Sequence, residues 1–143
     1  MGSYLKTISA ALAVSLVASV PAAAYSKNAV RLIKEQIKEA CDGRSGRMLA
    51  EGVFETDLTG NGRTDLIIDH GGIECTGEMT RSGFCGVRAC SVLFYVNDGR
   101  KLKKVDEALS IGVEVDDESP PNIKTMTHDF REFIIRWDGK AFK

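Results

Sequence analysis

Four cysteines restrict how this chain can fold more than any other feature of its sequence. Cys41, Cys75, Cys85 and Cys90 are separated by 34, 10 and 5 residues. These spacings contain no C-x-x-C pair, and neither of the two histidines lies at ligand spacing from a second one, which argues against zinc. An even number of cysteines in an exported chain predicts two disulfides, and the sequence does not choose among the three pairings that four cysteines allow.

Residues 1–24 have the order of a secretory signal peptide. Lys6 precedes a run of Ala, Val, Leu and Ser, and the segment ends in Pro21 and three alanines. The apolar run is short, rich in alanine and interrupted by Pro21, which favours a cleaved leader over a membrane anchor. We expect cleavage after Ala24, no membrane span in the mature protein, and a location in the periplasm or outside the cell.

The remaining chain, residues 25–143, has the length of one globular domain. The whole sequence has 19 lysines and arginines against 20 aspartates and glutamates, and these charges are scattered. Because the chain has no basic stripe, we do not expect it to bind nucleic acid.

The pattern of residues 26–43 predicts one amphipathic helix, with Ser26 or Asn28 as its cap and Gly43 after its end. Apolar side chains on one face recur at spacings of 3, 4 and 7: Val30, Ile33, Ile37, Ala40 and Cys41. Cys41 would tie the end of this helix to the sheet that the rest of the chain forms.

Alternation with a period of two replaces the helical period after Gly46. Residues 47–58 read as one half-buried strand, and the remaining strand segments are 64–70, 90–96, 101–109, 110–115, 124–130 and 132–137. Residues 97–100, NDGR, are a hairpin turn signal, and Pro120 and Pro121 mark a loop. The prediction is an α+β fold in which one N-terminal amphipathic helix packs on an antiparallel sheet of about five to seven strands.

Residues 57–68, DLTGNGRTDLII, form a candidate calcium loop. Oxygen-bearing side chains occupy its positions 1, 3, 5 and 9: Asp57, Thr59, Asn61 and Asp65. Arg63, at position 7, would contribute its backbone carbonyl. Calcium takes six to eight oxygen ligands, and the two glycines of the loop permit a tight turn around them. The loop is not an EF-hand, because position 12 is Ile68 where a glutamate is required.

The pattern D-x-T-G-N-G-x-x-D-L over residues 57–66 resembles the calcium-binding loops of FG-GAP and VCBS-type repeats, such as those in integrin alpha-chain propellers. The resemblance implies that Asp57, Asn61 and Asp65 bind calcium between two strands, with Thr59 where Asp or Asn is usual. It covers one short segment without a second copy, so a propeller is not implied. The residues alone also allow a metal-free turn in which side-chain oxygens accept hydrogen bonds from nearby N–H groups. Both alternatives stay open.

A long glycine-rich segment, residues 71–90, is the expected contact surface. Three of the four cysteines lie in it or at its edge, and Arg81, Phe84 and Arg88 are its candidate partner residues. If Cys75 pairs with Cys85 or Cys90, the segment is held in one shape. The sequence thus favours a small exported, non-enzymatic binding protein whose partner is a protein or an envelope component.

Two alternatives accompany this hypothesis, besides a purely structural or envelope-maintenance role. One is an inhibitor or immunity protein that acts on a cell-wall hydrolase, since small size, export and rigid loops suit that role. The other is a small hydrolase that uses His70 and His128, each of which has an aspartate as its sequence neighbour. Neighbours on a strand point to opposite faces, so neither aspartate would orient its histidine.

Overall fold

The computed structural model describes residues 24–143, so the predicted signal peptide, except for its last residue, lies outside the described residues. Helix α1 spans Lys27–Ala40. The Ser26 hydroxyl caps it by accepting the N–H of Ala29 at 3.2 Å, and Gly43 follows its end with a φ of 74°. Both predicted end signals are confirmed.

The buried face of α1 is shifted slightly from the predicted one. Its fully buried apolar residues, with Cys41 just beyond its end, are Ala29, Leu32, Ile33, Ala40 and Cys41. Val30 and Ile37 are only half-buried. The face of the helix that packs on the sheet is therefore displaced by about one residue from the predicted apolar face.

Nine strands follow in the described part of the chain: β1 Gly46–Met48, β2 Val53–Thr56, β3 Asp65–Asp69, β4 Ile73–Cys75, β5 Cys90–Asn97, β6 Leu102–Ser110, β7 Val113–Val115, β8 Ile123–Met126 and β9 Glu132–Ile135. They form three antiparallel sheets, with strand orders β1-β4, β2-β3-β5-β6 and β7-β8-β9. One helix with antiparallel strands is as predicted. The predicted single sheet of five to seven strands is wrong, and the helix packs on one face of the four-stranded sheet and beside the two-stranded one.

The predicted strand over residues 47–58 is divided by a 3₁₀ turn at Ala50–Gly52. A second 3₁₀ turn, His70–Gly72, packs against the first, and a Cβ added to Gly72 would lie 2.7 Å from the Gly52 Cα. Only glycine permits this backbone approach. The first part of the segment becomes β1 and pairs with β4, while the second part becomes β2 and pairs with β3.

Strand β5 is central and buried on both faces, as its continuous apolar sequence predicts. Leu93 and Tyr95 pack against α1, while Val92 and Phe94 pack toward β7–β9. The ring of Phe142, near the end of the chain, lies 4.9 Å from that of Phe94. The second layer over the central sheet is therefore the three-stranded sheet, which the sequence pattern does not reveal.

Two disulfides are present, as predicted. Cys41 bonds to Cys75 and so joins the end of α1 to β4, while Cys85 bonds to Cys90. Cys75 is thus not paired with Cys85 or Cys90, and the tie within residues 71–90 is a short ring at the start of β5.

Candidate binding face and calcium loop

Arg44 holds the start of the segment between β4 and β5. Its guanidinium donates hydrogen bonds to the carbonyls of Cys41, Thr76 and Met79. Nothing in the spacing of Arg44 indicates this role, because its partners lie more than thirty residues away apart from Cys41. The segment is therefore fastened to the end of the helix by a disulfide and by an arginine.

His70 joins this segment to helix α1 through hydrogen bonds on both of its ring nitrogens. Its Nδ1 lies 2.9 Å from the Ser82 hydroxyl, and its Nε2 lies 3.0 Å from the Gln36 Oε1. The Ser82 oxygen also accepts the N–H of Phe84, whose ring packs edge-on against the imidazole at 4.9 Å. One arrangement of protons satisfies every group: Nε2–H donates to Gln36, and Nδ1 accepts the Ser82 hydroxyl proton. We call these four residues the His70 latch.

Burial determines the protonation state of the latch. It lowers the pKa of His70 to about 4, with Lys104 acting in the same direction and Glu107 opposing it. His70 is 1 % exposed and Ser82 3 %. His70 is therefore neutral at neutral pH, as the hydrogen-bond pattern of the latch requires.

The predicted hydrolase residues occupy different surroundings. His70 is buried in the latch, whereas His128 is exposed in the turn between β8 and β9. The structure brings Ser82 to His70, a juxtaposition that the sequence does not indicate. The Ser82 hydroxyl is buried and already bonded, so it offers no open approach to a substrate. Asp69 does not orient His70 either, since its carboxylate accepts the N–H of Gly71 at 2.8 Å.

The Cys85–Cys90 disulfide closes a ring of six residues, and a tight turn forms the tip of this ring. The Gly86 N–H donates to the Ala89 carbonyl at 2.8 Å. Arg81 braces the turn, since its guanidinium donates to the carbonyls of Gly86 and Val87 at 2.8 and 3.2 Å. The Val87 side chain at the tip is 94 % exposed. Arg81, a predicted partner residue, thus braces the turn through these two carbonyls.

The ring forms one wall of an apolar groove. The groove has a volume of about 510 Å³ and is lined by Gly86, Val87, Arg88, Ala89, Leu109, Thr127 and His128. Leu109 is 68 % exposed and Phe130, at its edge, 61 %. The Arg88 guanidinium lies over the Phe130 ring, 5.1 Å from its centroid, and donates to the His128 carbonyl at 3.4 Å. We call this ring and groove the binding face.

Two residues of the binding face escape prediction from the sequence. Leu109 reaches it because β6 pairs with β5 in a register that sets Leu109 opposite Ser91. Phe130 reaches it through the turn between β8 and β9, where its φ is 61°. Of the three predicted partner residues, Arg88 lies in the groove, and Phe84 is exposed in part while contacting His70.

The candidate calcium loop lies between β2 and β3 and is closed by its own hydrogen bonds. The Asp57 Oδ1 accepts the N–H groups of Thr59, Gly60 and Asn61, and its Oδ2 accepts that of Gly62 at 2.6 Å. Partial burial raises the pKa of Asp57, but these four N–H groups outweigh burial and lower it.

Asp65 is fully buried under the same loop. Its Oδ2 accepts the N–H groups of Leu58 and Thr59 and the hydroxyl of Thr59, and its Oδ1 accepts the N–H of Asn97 at 2.8 Å. Burial raises the pKa of Asp65, and the hydrogen bonds from Asn97, Thr59 and Leu58 oppose this. Asp65 therefore joins the loop to the hairpin between β5 and β6.

The remaining candidate ligands also have partners within the chain. The Asn61 Oδ1 accepts the N–H of Arg63 at 2.8 Å, and the Arg63 guanidinium packs against Gly99. Asp57 has no cationic side chain within salt-bridge distance among the described residues. Its Oδ2 accepts a single N–H and keeps a lone pair for a cation, whereas the Asp65 oxygens are engaged and buried. Within residues 24–143, no three His, Cys, Asp or Glu side chains are grouped for a metal. Of the two carboxylates of this loop, Asp57 is therefore the one accessible to a cation, while Asp65 is not.

Comparisons with family models, curated proteins and solved structures return no match to this chain. Among residues 24–143, no helix has the length and apolar character needed to cross a membrane.

Proposed function

We propose that this protein is an exported, non-enzymatic binding protein that recognises a partner protein through its binding face. One observation carries the proposal: a braced disulfide ring holds a 94 % exposed Val87 beside an apolar groove of about 510 Å³. Clustered exposed apolar side chains in a folded protein mark interaction sites more often than isolated ones do. Export is supported by the two disulfides, which persist in oxidising compartments.

The construction of the face supports recognition of a partner. The ring is held by a disulfide, by Arg81 and by the His70 latch, so the tip does not have to be ordered on binding. Pre-ordered contact residues reduce the entropic cost of association. Arginine and aromatic side chains, represented here by Arg88 and Phe130, are enriched among residues that dominate binding energies.

An inhibitor or immunity protein for a cell-wall hydrolase is a more specific form of the same proposal. A rigid tip beside a groove suits insertion into a cleft of an enzyme. Capture of a partner would decide this point. If a cell-wall hydrolase is among the captured proteins, its activity can be assayed with and without the wild-type protein.

The test is capture of envelope proteins on the immobilised mature protein. We expect Val87→Asp and Leu109→Glu to abolish capture of a protein that the wild type retains, because each introduces a charge into the apolar contact. Ile134→Glu is the matched control, since Ile134 is also strongly exposed but does not line the groove. Equal loss with the control, or capture that survives both groove variants, would refute the proposal.

We also propose that the loop of residues 57–66 binds calcium weakly, as its resemblance to FG-GAP and VCBS-type loops implies. The proposal is supported by the alternating oxygen-bearing residues and by the carboxylate of Asp57, which has no cationic side-chain partner among residues 24–143. The ion would support the β2–β3 corner and perform no chemistry. Asp65 bonds to Asn97 at the far end of β5, so a bound ion would stiffen the end of the sheet opposite the ring.

A further inference from the structure

We infer that Arg88 makes the groove a site for a carboxylate flanked by an apolar side chain, and that the natural occupant is a short acidic segment of the partner protein. This inference rests on the proposed function and adds the chemistry of the ligand. The groove has a charged part, at Arg88, and an apolar part, along Leu109.

Arg88 is a cation without a carboxylate partner. No aspartate or glutamate among the described residues lies within salt-bridge distance of its guanidinium, although eight other ion pairs are formed. The nearby charges are neutralised: Arg131 bonds to Asp129 at 2.6 Å, and Lys104 bonds to Glu107 at 2.6 Å. The groove therefore carries one net positive charge at Arg88, which selects for an anionic ligand.

The geometry of Arg88 prepares it for a carboxylate. The guanidinium has five N–H donors, and its one hydrogen bond in the structure is the long one to the His128 carbonyl. The guanidinium also lies over the Phe130 ring, and its other N–H groups make no hydrogen bond among the described residues. Two parallel N–H groups can then bind both oxygens of a carboxylate, a geometry that lysine does not offer.

The apolar part lies beside this cation. Ala89 and Leu109 line the groove next to Arg88, and Thr127 forms its far side. The volume of about 510 Å³ lies in the range of sites that enclose a small ligand, which suits two or three peptide residues but not a larger structure. A carboxylate on Arg88 with an aliphatic neighbour against Leu109 would match both parts.

The test is an NMR titration of the mature protein with acetyl-Leu-Glu-Leu-amide and its neutral match, acetyl-Leu-Gln-Leu-amide. We expect the glutamate peptide to bind about fivefold tighter or more at low salt, because a bidentate pair at a partly exposed site adds a modest charge-assisted term. The shifts should centre on the backbone amides of residues 86–89 and 109. Raising the salt concentration should reduce the preference.

Two variants and acetate test whether Arg88 produces the preference for the glutamate peptide. Arg88→Gln should remove the preference for glutamate while keeping the weak binding of the neutral peptide, whereas Arg100→Gln, in the β5–β6 turn away from the groove, should leave the preference unchanged. Equal binding of both peptides in the groove would overturn the carboxylate inference. Acetate binding as tightly as the peptide would overturn the choice of a peptide segment. Absence of peptide shifts in the groove would also overturn the inference, while the capture experiment would still judge the proposed function separately.

Discussion

Replacing His70 should remove a defined part of the acid sensitivity of this protein. The imidazole is neutral in the folded state, because burial lowers its pKa from 6.5 to about 4. Between these two values the unfolded chain binds a proton that the folded chain does not. The free energy of unfolding must therefore fall as the pH falls through this window.

The size of the effect follows from the two pKa values. Stability from this group is fully present above about pH 6.5 and is lost completely once the pH is below about 4. At 1.36 kcal/mol for each pH unit, the complete loss is about 3 kcal/mol. Between pH 7 and pH 4.5 the expected loss is about 2 to 3 kcal/mol, since the folded state is by then partly protonated.

The assay is urea unfolding of the wild type and of His70→Gln at pH 7 and pH 4.5. Glutamine keeps a donor for Gln36 but does not titrate. The variant should therefore be less stable at pH 7 and should lose about 2 to 3 kcal/mol less on acidification. Comparing the two proteins cancels the contributions of the carboxylates, including buried Asp65 and Asp69, whose pKa values burial raises.

His128→Gln is the matched control, because His128 is exposed and makes no side-chain hydrogen bond in the latch. Its pH dependence should follow that of the wild type. If His70→Gln shows the same loss on acidification as the wild type, the reasoning from burial of the imidazole is refuted.

Three further predictions concern the loop, the disulfide and the core. Millimolar calcium should raise the melting temperature of the wild type by a few degrees, as expected for a dissociation constant of about 10⁻⁴–10⁻³ M, and Asp57→Asn should abolish the rise; a wild type that does not respond would contradict the calcium proposal. The double variant Cys41→Ala/Cys75→Ala should lose about 4 kcal/mol in chemical unfolding, because that disulfide closes a long loop, and non-reducing peptide mapping should recover the Cys41–Cys75 pair from the wild type. Phe94→Ala should cost about 3–5 kcal/mol, since its ring is fully buried between two sheets; a loss under about 1 kcal/mol would mean that the sheets do not pack there.

Local signals in the sequence predict the local parts of the fold. The Ser26 cap, the apolar period and Gly43 delimit the helix, and the continuous apolar run of β5 predicts its burial on both faces. The division of the 47–58 segment escapes this reasoning, because it depends on contact between Gly52 and Gly72, twenty residues apart. A local sequence pattern does not show that the backbone of a distant residue will pack where a glycine has no side chain.

The sequence likewise predicts only part of the candidate site. The glycine-rich segment of residues 71–90 predicts a contact surface that includes Arg88, but the sequence does not predict the Cys85–Cys90 pairing that shapes the ring. The His70 latch requires Ser82 and Gln36 to meet from different elements, and the groove requires the register of β5 with β6. These juxtapositions arise from tertiary packing, which a single sequence does not encode in any local pattern.

We expect the partner to dock on the ring and groove. Amide chemical-shift mapping of the ¹⁵N-labelled protein, as a captured partner is added, measures this directly. The perturbed amides should cluster at residues 86–89, at Leu109 and at residues 127–130. Perturbations centred on the exposed face of α1 or on residues 57–66, with the ring unaffected, would contradict it.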